Sequence, residues 1–209
     1  MQKYHKIDAI YKRDETTKKL IEGEFVDPTV EYLKDNIWTF TEKVDGTNIR
    51  VCWDGHKVSF GGRTDNANIP KHLLARLEEL FGGEDNEQLF EQKFGETEVI
   101  LFGEGYGEKI QTNGYIDGVD FILFDVMIGT NYQPRESVED IAKYFNLKIV
   151  PIVLEGTLQD GIEYVRKNRN STIAMKGAPL EGIVGRTKIE TQTRTGKRNI
   201  VKIKCRDFN

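Results

Sequence analysis

Eight short segments of apolar or alternating apolar and polar residues constrain the fold more than any other feature of the chain. They are four to seven residues long and lie at 38–43, 48–53, 57–60, 99–102, 121–127, 148–154, 182–187 and 200–205. Segments of this length and pattern predict β-strands. Asp54-Gly55 lies between the second and third segments and predicts a tight hairpin turn, because Asp-Gly readily adopts the positive φ angles that such a turn requires.

Helical periodicity is confined to fewer segments. Residues 71–80 place leucines on one face, and residues 138–145 follow Ser137 with Asp140 three positions later, which is typical of a capping box. A third helix is expected at 158–167. Strands joined by short turns, with helices inserted between blocks of strands, predict an α+β fold with mostly antiparallel sheets and flanking helices.

The domain organisation follows from length and from the lack of linkers. The chain has 209 residues, no internal repeat and no long stretch rich in proline, glycine and serine. The sequence therefore predicts one compact unit, a single domain over residues 1–209.

Composition excludes several classes of protein. Hydrophobic residues make up 38% and charged residues 31% of the chain, which is the balance of a soluble globular protein. No segment reaches the roughly 18 apolar residues that a membrane span needs, and charged residues interrupt the amino terminus where a secretory signal would be apolar. Two cysteines and three scattered histidines form neither a disulfide framework nor a zinc motif. We therefore expect a cytoplasmic protein with no membrane partner.

Charge is distributed unevenly along the chain. The net charge is −4, yet residues 185–209 hold eight lysines and arginines against Glu190 and Asp207, a local charge of +6. Such a run is either a solvated surface or a surface that binds a polyanion. The second alternative predicts that residues from Arg186 to Arg206 follow a nucleic-acid backbone.

Lys43 is the first candidate catalytic residue. It ends a predicted strand and precedes the turn-forming pair Asp45-Gly46, so its amine would be held on a rigid element. A lysine amine is a nucleophile at neutral pH only where burial, neighbouring cations or a metal ion disfavour its charged form. The alternative is an ordinary solvated lysine before a turn.

A second group of cations suits phosphate. Lys202 and Lys204 are two positions apart on a predicted strand, hence on one face, and could together bind a triphosphate. Their charges would also disfavour a charge on Lys43. Arg63 follows two glycines, and its planar group of donors matches phosphate oxygens. Without further context, both features also fit ordinary surface residues.

Carboxylates and one aromatic residue complete the set. Glu104 lies between glycines, where its oxygens could accept hydrogen bonds from ribose hydroxyls. Magnesium binds one or two carboxylates together with phosphates and water, and the carboxylates available for it are those of Asp45, Glu104, Asp125 and Glu181. Glu181, at the start of an apolar strand, is the best of these candidates. Phe124 is by pattern alone a core aromatic residue.

Six motifs in a fixed order support a resemblance. They are Lys43-Val44-Asp45-Gly46-Thr47-Asn48, Gly61-Gly62-Arg63-Thr64, Phe102-Gly103-Glu104-Gly105, Phe121-Ile122-Leu123-Phe124-Asp125, Leu180-Glu181-Gly182-Ile183-Val184 and Val201-Lys202-Ile203-Lys204-Cys205. Together they resemble the motifs of the covalent nucleotidyltransferase superfamily. The closest resemblance is to the ATP-dependent RNA ligase family, in its nick-sealing phage-type branch, and it spans residues 42–205.

The resemblance implies a fold, an activity and a set of site residues. It implies a nucleotidyltransferase (adenylation) domain and an ATP-dependent RNA ligase that joins 5′-phosphate and 3′-hydroxyl ends through a lysyl-AMP intermediate. It implies that Lys43 is the nucleophile and that Asp45, Lys202 and Lys204 also take part in catalysis. The implied nucleotide-binding residues are Glu42, Asn48, Arg63, Glu104, Phe124, Glu181, Lys202 and Lys204. The implied Mg²⁺ or Mn²⁺ ligands are Glu181 and Asp125.

Two features of the sequence keep alternatives open. Asp45 stands where phage nick-sealing RNA ligases commonly have histidine, so DNA or an RNA/DNA hybrid is an alternative to an RNA substrate. The chain ends four residues after Cys205, so no OB-fold or other carboxyl-terminal domain is expected, and a partner could supply a nucleic-acid-binding domain. An ATP-dependent DNA ligase, a GTP-dependent guanylyltransferase and a non-catalytic nucleic-acid-binding module are the alternative functions.

Overall fold

The computed structural model describes residues 2–208 and has the α+β fold class that the sequence predicts. In chain order its strands are β1 (Asp8–Ala9), β2 (Tyr11–Arg13), β3 (Leu20–Phe25), β4 (Trp38–Lys43), β5 (Thr47–Trp53), β6 (Val58–Gly61), β7 (Val99–Gly107), β8 (Val119–Ile128), β9 (Asn131–Tyr132), β10 (Lys148–Ile149), β11 (Ile152–Gly156), β12 (Gly182–Thr187) and β13 (Ile200–Lys204). Its helices are α1 (Pro28–Tyr32), α2 (Lys71–Phe81), α3 (Glu84–Phe94), α4 (Arg135–Tyr144) and α5 (Leu158–Lys167), and a 3₁₀ turn follows at Cys205–Asp207.

The described chain divides into two compact units. Residues up to 5 and 45–150 form the first unit, and residues from 6 to 44 and from 151 onward form the second. The chain passes between the units inside short connections, between β4 and β5 and between β10 and β11. No linker is needed for such crossings, and composition therefore gives no sign of them. That residues 1–209 make one nucleotidyltransferase domain stays a prediction.

The first unit is built on a six-stranded sheet. Its strand order is β10-β8-β7-β5-β6, with β9 paired to β8, and only the β10–β8 pair is parallel. Apolar side chains of α2, α3 and α4 pack on one face of this sheet, against strand residues such as Ile49, Leu101 and Phe121. Tyr4 and Tyr132 pack on a smaller cluster around Phe102.

The second unit is built on a five-stranded sheet in the order β1-β13-β12-β4-β11, in which only the β1–β13 pair is parallel. Helix α5 buries Leu158, Ile162 and Val165 against apolar residues of β4, β12 and β13. Because side chains alternate along a strand, every second residue of β4 enters this core, including Trp38 and Phe40. The residues between them lie on the opposite face.

The predicted strands and helices mostly match those observed. The predicted strand at 148–154 is wrong as one element, because it divides into β10 and β11, which belong to different sheets. Helix α4 begins at Arg135 rather than after Ser137, since Pro134 occupies the N-cap with extended backbone angles. A capping box is instead formed by Thr157 and Asp160 at the start of α5. Strands β1–β3 and β9 and helices α1 and α3 were not predicted from the sequence.

Candidate active site

Lys43, Glu181 and Lys204 meet at the end of three neighbouring strands in the second unit. Gly182 pairs with Lys43 on one side and with Lys204 on the other. Gly182 also permits a close approach, because a Cβ atom there would overlap the carbonyl oxygen of Ile203. The strand register therefore brings together three residues that lie far apart in the sequence.

A single carboxylate bridges the two lysine amines. The Nζ atoms of Lys43 and Lys204 lie 2.6 Å from Oε2 and Oε1 of Glu181, respectively. The side chain of Glu181 is 16% exposed, so both ion pairs are partly shielded from water. Lys43 must leave Glu181 before its nitrogen lone pair can attack an electrophile.

Lys202 lies on the same face of β13 as Lys204 but has different surroundings. It makes no ion pair among residues 2–208. Burial lowers the pKa of the Lys202 amine below its usual value, and the neighbouring charges of Lys204 and Lys43 lower it further. Lys202 thus keeps its own positive charge beside the two lysines that share Glu181, and a bound anion would be attracted to it.

Glu42 precedes Lys43 but belongs to the other face of β4. Its side chain is almost fully buried, with 2% exposure. Oε1 accepts a hydrogen bond from the Ser171 hydroxyl, and Oε2 accepts one from the Thr172 hydroxyl and one at 2.8 Å from the Thr172 amide. The carboxylate therefore holds residues 171–172 against β4. The sequence analysis did not find Ser171 and Thr172, because nothing in their spacing relates them to Glu42.

In the first unit, Asn48 and Glu104 lie side by side. They are directly paired across β5 and β7, so their side chains share one face. The Asn48 side-chain oxygen is buried and has no hydrogen-bond partner, which costs about 1–3 kcal/mol in a folded protein. An unsatisfied acceptor of this kind suits a donor supplied by a ligand.

Asp45 and Gly46 form the turn that leads into β5. The Asp45 carboxylate accepts a hydrogen bond from the Thr112 hydroxyl, and the Asp45 amide donates one to the Tyr115 hydroxyl at 3.1 Å. Gly46 lies so close to β7 that a Cβ atom would overlap the Gly105 carbonyl oxygen. A residue with a side chain at position 46 would therefore clash with β7, which explains why this position of the motif is glycine.

Arg63 lies in an exposed loop after β6. Arg50, which carried no functional signal in the sequence, holds both ends of this loop. Arg50 is fully buried, and its guanidinium donates to the Gly62 carbonyl at 2.8 Å and to Asp65 Oδ1 at 2.9 Å. Arg50 is one of the alternating residues of β5 and carries no motif signal. Its hydrogen bonds hold the loop that presents Arg63.

Phe124 and Asp125 lie near the amino terminus within the first unit. Phe124 is half-buried, and the ring of Tyr4 contacts its edge with 5.1 Å between ring centroids. Asp125 is fully buried, and its Oδ2 accepts a hydrogen bond at 2.7 Å from the Tyr4 hydroxyl. These contacts favour a structural role for Asp125 over the predicted metal-ligand role.

The described residues offer no complete metal cage. No group of three or more histidine, cysteine or acidic side chains within residues 2–208 could hold a metal ion. Magnesium usually binds one or two carboxylates and completes its octahedral coordination with phosphates and water. Glu181, a partly exposed carboxylate beside phosphate-binding candidates, fits that pattern.

The basic segment after residue 185 is less basic than its sequence indicates. Lys188 pairs with Glu155 at 2.8 Å, and Arg198 pairs with Glu190 at 2.6 Å. Lys197 pairs with Asp27 at 3.0 Å. Three cations of the segment are thus paired with acidic residues of the chain. That residues from Arg186 to Arg206 follow a nucleic-acid backbone stays a prediction.

Comparison with known proteins identifies the family. The family model for RNA ligases matches residues 36–204. A search of curated proteins found no match. No helix within residues 2–208 is both long and apolar enough to span a membrane.

Solved structures of Naegleria gruberi RNA ligase share the fold of this chain. A mutant of that ligase with ATP and Mn has a TM-score of 0.67 and 20% sequence identity, over 98% of this chain and 56% of that chain. The ligase with PPi has a TM-score of 0.63 and 22% identity, over 85% and 52%. A mutant with AMP and Mn has a TM-score of 0.63 and 19% identity, over 85% and 52%. The chain spans about half the length of these relatives. Since the family model covers most of the sequence, the chain belongs to the RNA ligase family.

Proposed function

We propose that this protein is an ATP-dependent RNA ligase that joins 5′-phosphate and 3′-hydroxyl ends, and that it acts in the cytoplasm. The observation that carries the activity is the Glu181 carboxylate, which holds the amines of both Lys43 and Lys204 at 2.6 Å. Membership of the RNA ligase family supports the same reaction class. Both cysteines, Cys52 and Cys205, are free and buried, which suits a reducing compartment. Membership of the phage-type branch stays a prediction.

The reaction would proceed in three transfers. The Lys43 amine attacks the α-phosphorus of ATP, pyrophosphate leaves, and the nitrogen gives up a proton to form lysyl-AMP. A 5′-phosphate oxygen of RNA then attacks the same phosphorus and breaks its bond to nitrogen. Finally, the RNA 3′-hydroxyl attacks the 5′-phosphate and AMP leaves. Covalent catalysis divides one difficult condensation into easier steps.

In the second unit, the lysines would bind the phosphates. Lys202, with no ion pair of its own, is available to an incoming phosphate, whereas Lys204 has to exchange Glu181 for one. Positive groups fixed where negative charge develops lower the barrier of phosphoryl transfer. An anion that displaces Lys204 from Glu181 would also loosen the hold of Glu181 on Lys43.

Glu181 is the residue that would hold a divalent cation. A bound Mg²⁺ or Mn²⁺ would neutralise phosphate charge in this reaction. The oxygens of Glu181 that would hold the cation are those that now accept from the Lys43 and Lys204 amines. Solved structures of Naegleria gruberi RNA ligase mutants include complexes with ATP and Mn, which supports this choice of cofactors.

In the first unit, Asn48 and Glu104 would bind the nucleoside. The buried, unpartnered oxygen of Asn48 can accept from a hydroxyl or amino group, and the adjacent Glu104 carboxylate can accept from ribose hydroxyls. Phe124 is exposed enough to offer part of its ring to a base, and exposed Arg63 offers a phosphate contact. For Glu42, a nucleotide contact stays a prediction, because its two oxygens already have partners within the chain.

The test is covalent labelling of the protein. The enzyme is first treated with pyrophosphate to remove any attached nucleotide, then incubated with α-labelled ATP or GTP and magnesium and run on a denaturing gel. We expect label from ATP in the wild type and in the control Lys57→Ala, an exposed lysine in the hairpin turn, and none in Lys43→Ala. Label in Lys43→Ala contradicts the assignment of the nucleophile.

The other outcomes point to the alternative functions. Label from GTP indicates a guanylyltransferase, and no label from either nucleotide indicates a nucleic-acid-binding module. Substrate preference is then measured with matched RNA, DNA and hybrid ends under the same conditions. We expect RNA ends to be joined fastest, and equal or faster joining of DNA ends would identify a DNA ligase.

A further inference from the structure

A basic cavity of about 340 Å³ lies in the second unit, on the edge formed by β1, β2 and β13. Cationic side chains supply much of its lining, whereas Asp8 is the acidic residue among its lining residues. The cations are Lys6, Lys12, Arg13, Lys202, Lys204 and Arg206. Lys202 and Lys204 belong to a sequence motif and Arg206 to the basic carboxyl-terminal segment, whereas Lys6, Lys12 and Arg13 carried no functional signal in the sequence.

Several of these charges are already compensated. Lys204 pairs with Glu181 and Arg13 pairs with Asp207, at 2.6 and 2.7 Å. Asp8 lies 3.3 Å from Lys197, which takes up part of the one negative charge in the lining. The cavity therefore keeps a surplus of positive charge.

Four cations of the cavity make no ion pair within residues 2–208: Lys6, Lys12, Lys202 and Arg206. This separates them from Lys188, Lys197 and Arg198, which belong to the same basic carboxyl-terminal segment as Lys202 and Arg206 but pair with acidic residues of the chain. A polyanion gains most from cations that are not neutralised by the protein itself. The cavity thus collects four cations without ion pairs, whereas three other cations of the carboxyl-terminal segment are paired.

The exposure of these residues indicates the kind of anion. Lys6, Lys12 and Arg206 are exposed and come from both ends of the unit's chain, whereas Lys202 is partly buried beside Lys204. Exposed, flexible cations around a solvent-accessible cavity suit the successive phosphates of a polynucleotide, which are neutralised one by one. An extended strand can contact the outer cations while one of its phosphates reaches Lys202.

We propose that this cavity binds backbone phosphates of the RNA strand, with Lys6, Lys12 and Arg206 as RNA-binding residues. The inference rests on the proposed ligase function for the identity of the polyanion. The test measures binding of a 5′-phosphorylated single-stranded RNA oligonucleotide by fluorescence anisotropy at several salt concentrations. The variants are the double variant Lys6→Gln/Lys12→Gln and the single variant Arg206→Gln. The control is Lys188→Gln/Arg194→Gln, which also removes two positive charges but from residues outside the cavity.

We expect the double variant to bind RNA roughly tenfold more weakly and the control to bind within about twofold of the wild type. The slope of log affinity against log salt concentration should fall by about 1.4 in the double variant, since each contact with a single-strand phosphate contributes about 0.7. Thermal unfolding checks that each variant is folded. Equal losses in the double variant and the control would overturn the proposal.

Labelling with ATP separates this inference from the proposed function. The rate of lysine labelling is measured in the same preparations, and we expect it to change less than RNA affinity. A labelling rate that falls as much as RNA affinity would overturn the proposal, because the cavity would then bind the phosphates of the nucleotide. If the wild type takes up no label but the double variant still loses RNA affinity, the ligase function fails and the RNA-binding cavity stands.

Discussion

Two glutamates near the end of β4 have opposite surroundings. Glu42 lies on the core face, and its carboxylate accepts hydrogen bonds from the side chains of Ser171 and Thr172 and from a backbone amide. Glu181 lies just before β12 and holds two lysine amines in partly exposed ion pairs. Both residues were candidates for nucleotide binding on sequence grounds. Their partners now distinguish them.

The chemical nature of the partners distinguishes a structural carboxylate from one that is available to a ligand. The donors around Glu42 are neutral hydroxyl and amide groups of Ser171 and Thr172, so their exchange for a ligand would leave buried polar groups without these partners. The lysines around Glu181 are mobile cations that phosphates and metal ions can replace or attract. We infer that Glu42 stabilises the fold and that Glu181 serves the reaction.

Replacing Glu181 should produce the largest effect. We expect Glu181→Ala to reduce the rate of labelling by ATP at least about 100-fold, because it removes the carboxylate that positions the Lys43 and Lys204 amines and that would hold the metal ion. The free energy of unfolding should fall by about 1–2 kcal/mol, because the partly buried amines of Lys43 and Lys204 lose their counter-charge. Labelling is measured by gel and stability by urea denaturation.

The control is Glu155→Ala, which removes an exposed carboxylate that pairs with Lys188. It should leave labelling unchanged. If Glu181→Ala labels at the wild-type rate, Glu181 is a structural residue like Glu42 and the distinction between the two carboxylates is lost.

Replacing Glu42 should mainly reduce stability. We expect Glu42→Ala to lower the free energy of unfolding by about 2–4 kcal/mol, because it leaves the donors of Ser171 and Thr172 unsatisfied in a buried site. Glu42→Gln keeps one carbonyl acceptor and should lose less. Urea denaturation of the three proteins gives the comparison.

A different result would support the predicted role of Glu42 in nucleotide binding. If Glu42→Ala retains its stability but loses labelling, with the apparent KM for ATP raised, the residue contacts nucleotide as the sequence predicted. The structural assignment of this carboxylate would then be wrong.

Much of the fold was predictable because its strands carry local signals. The alternation in β4 and β12 and the apolar runs of β7 and β8 identify them without knowledge of their neighbours. The short strands β1 and β2 escape detection, since two or three residues carry no periodicity. Their positions depend on pairing with distant segments.

The sequence predicted the residues of the candidate site but not the ion pairs and hydrogen bonds between them. The motifs nominate Lys43, Glu181 and Lys204, but the carboxylate that bridges both amines arises from the register of β4, β12 and β13. The contacts of Ser171 and Thr172 with the Glu42 carboxylate are also long-range, across separations of 129 and 130 residues. Neutralisation of the basic segment is also non-local, since Lys197 meets Asp27 across a separation of 170 residues. The sequence gives the number of charged residues in a segment but not which of them form ion pairs with distant residues.

Lys202 lies beside the ion pairs of Glu181 but makes no ion pair with any carboxylate of residues 2–208. Its pKa is lowered by burial and then by Lys204, Lys43 and Lys6, while Asp8 opposes this weakly. A lysine whose pKa is lower in the folded than in the unfolded protein destabilises the fold while it is charged. This penalty is present at neutral pH and disappears as the pH rises from the lowered pKa towards the ordinary value of 10.5.

We therefore expect Lys202→Met to raise the free energy of unfolding at pH 7 by about 0.5–1 kcal/mol, the smallest of the three effects, while labelling by ATP falls. The gain should shrink as the pH is raised towards 10, because the wild-type amine then loses its charge in the folded state. Urea denaturation at pH 7, 8.5 and 10 measures the trend. Lys188→Met is the matched control: its lysine is paired with Glu155, so the substitution should not raise stability at any of these pH values. If Lys202→Met destabilises the protein at pH 7, the amine has a stabilising partner within the protein. The conclusion that Lys202 is available to a phosphate would then be wrong.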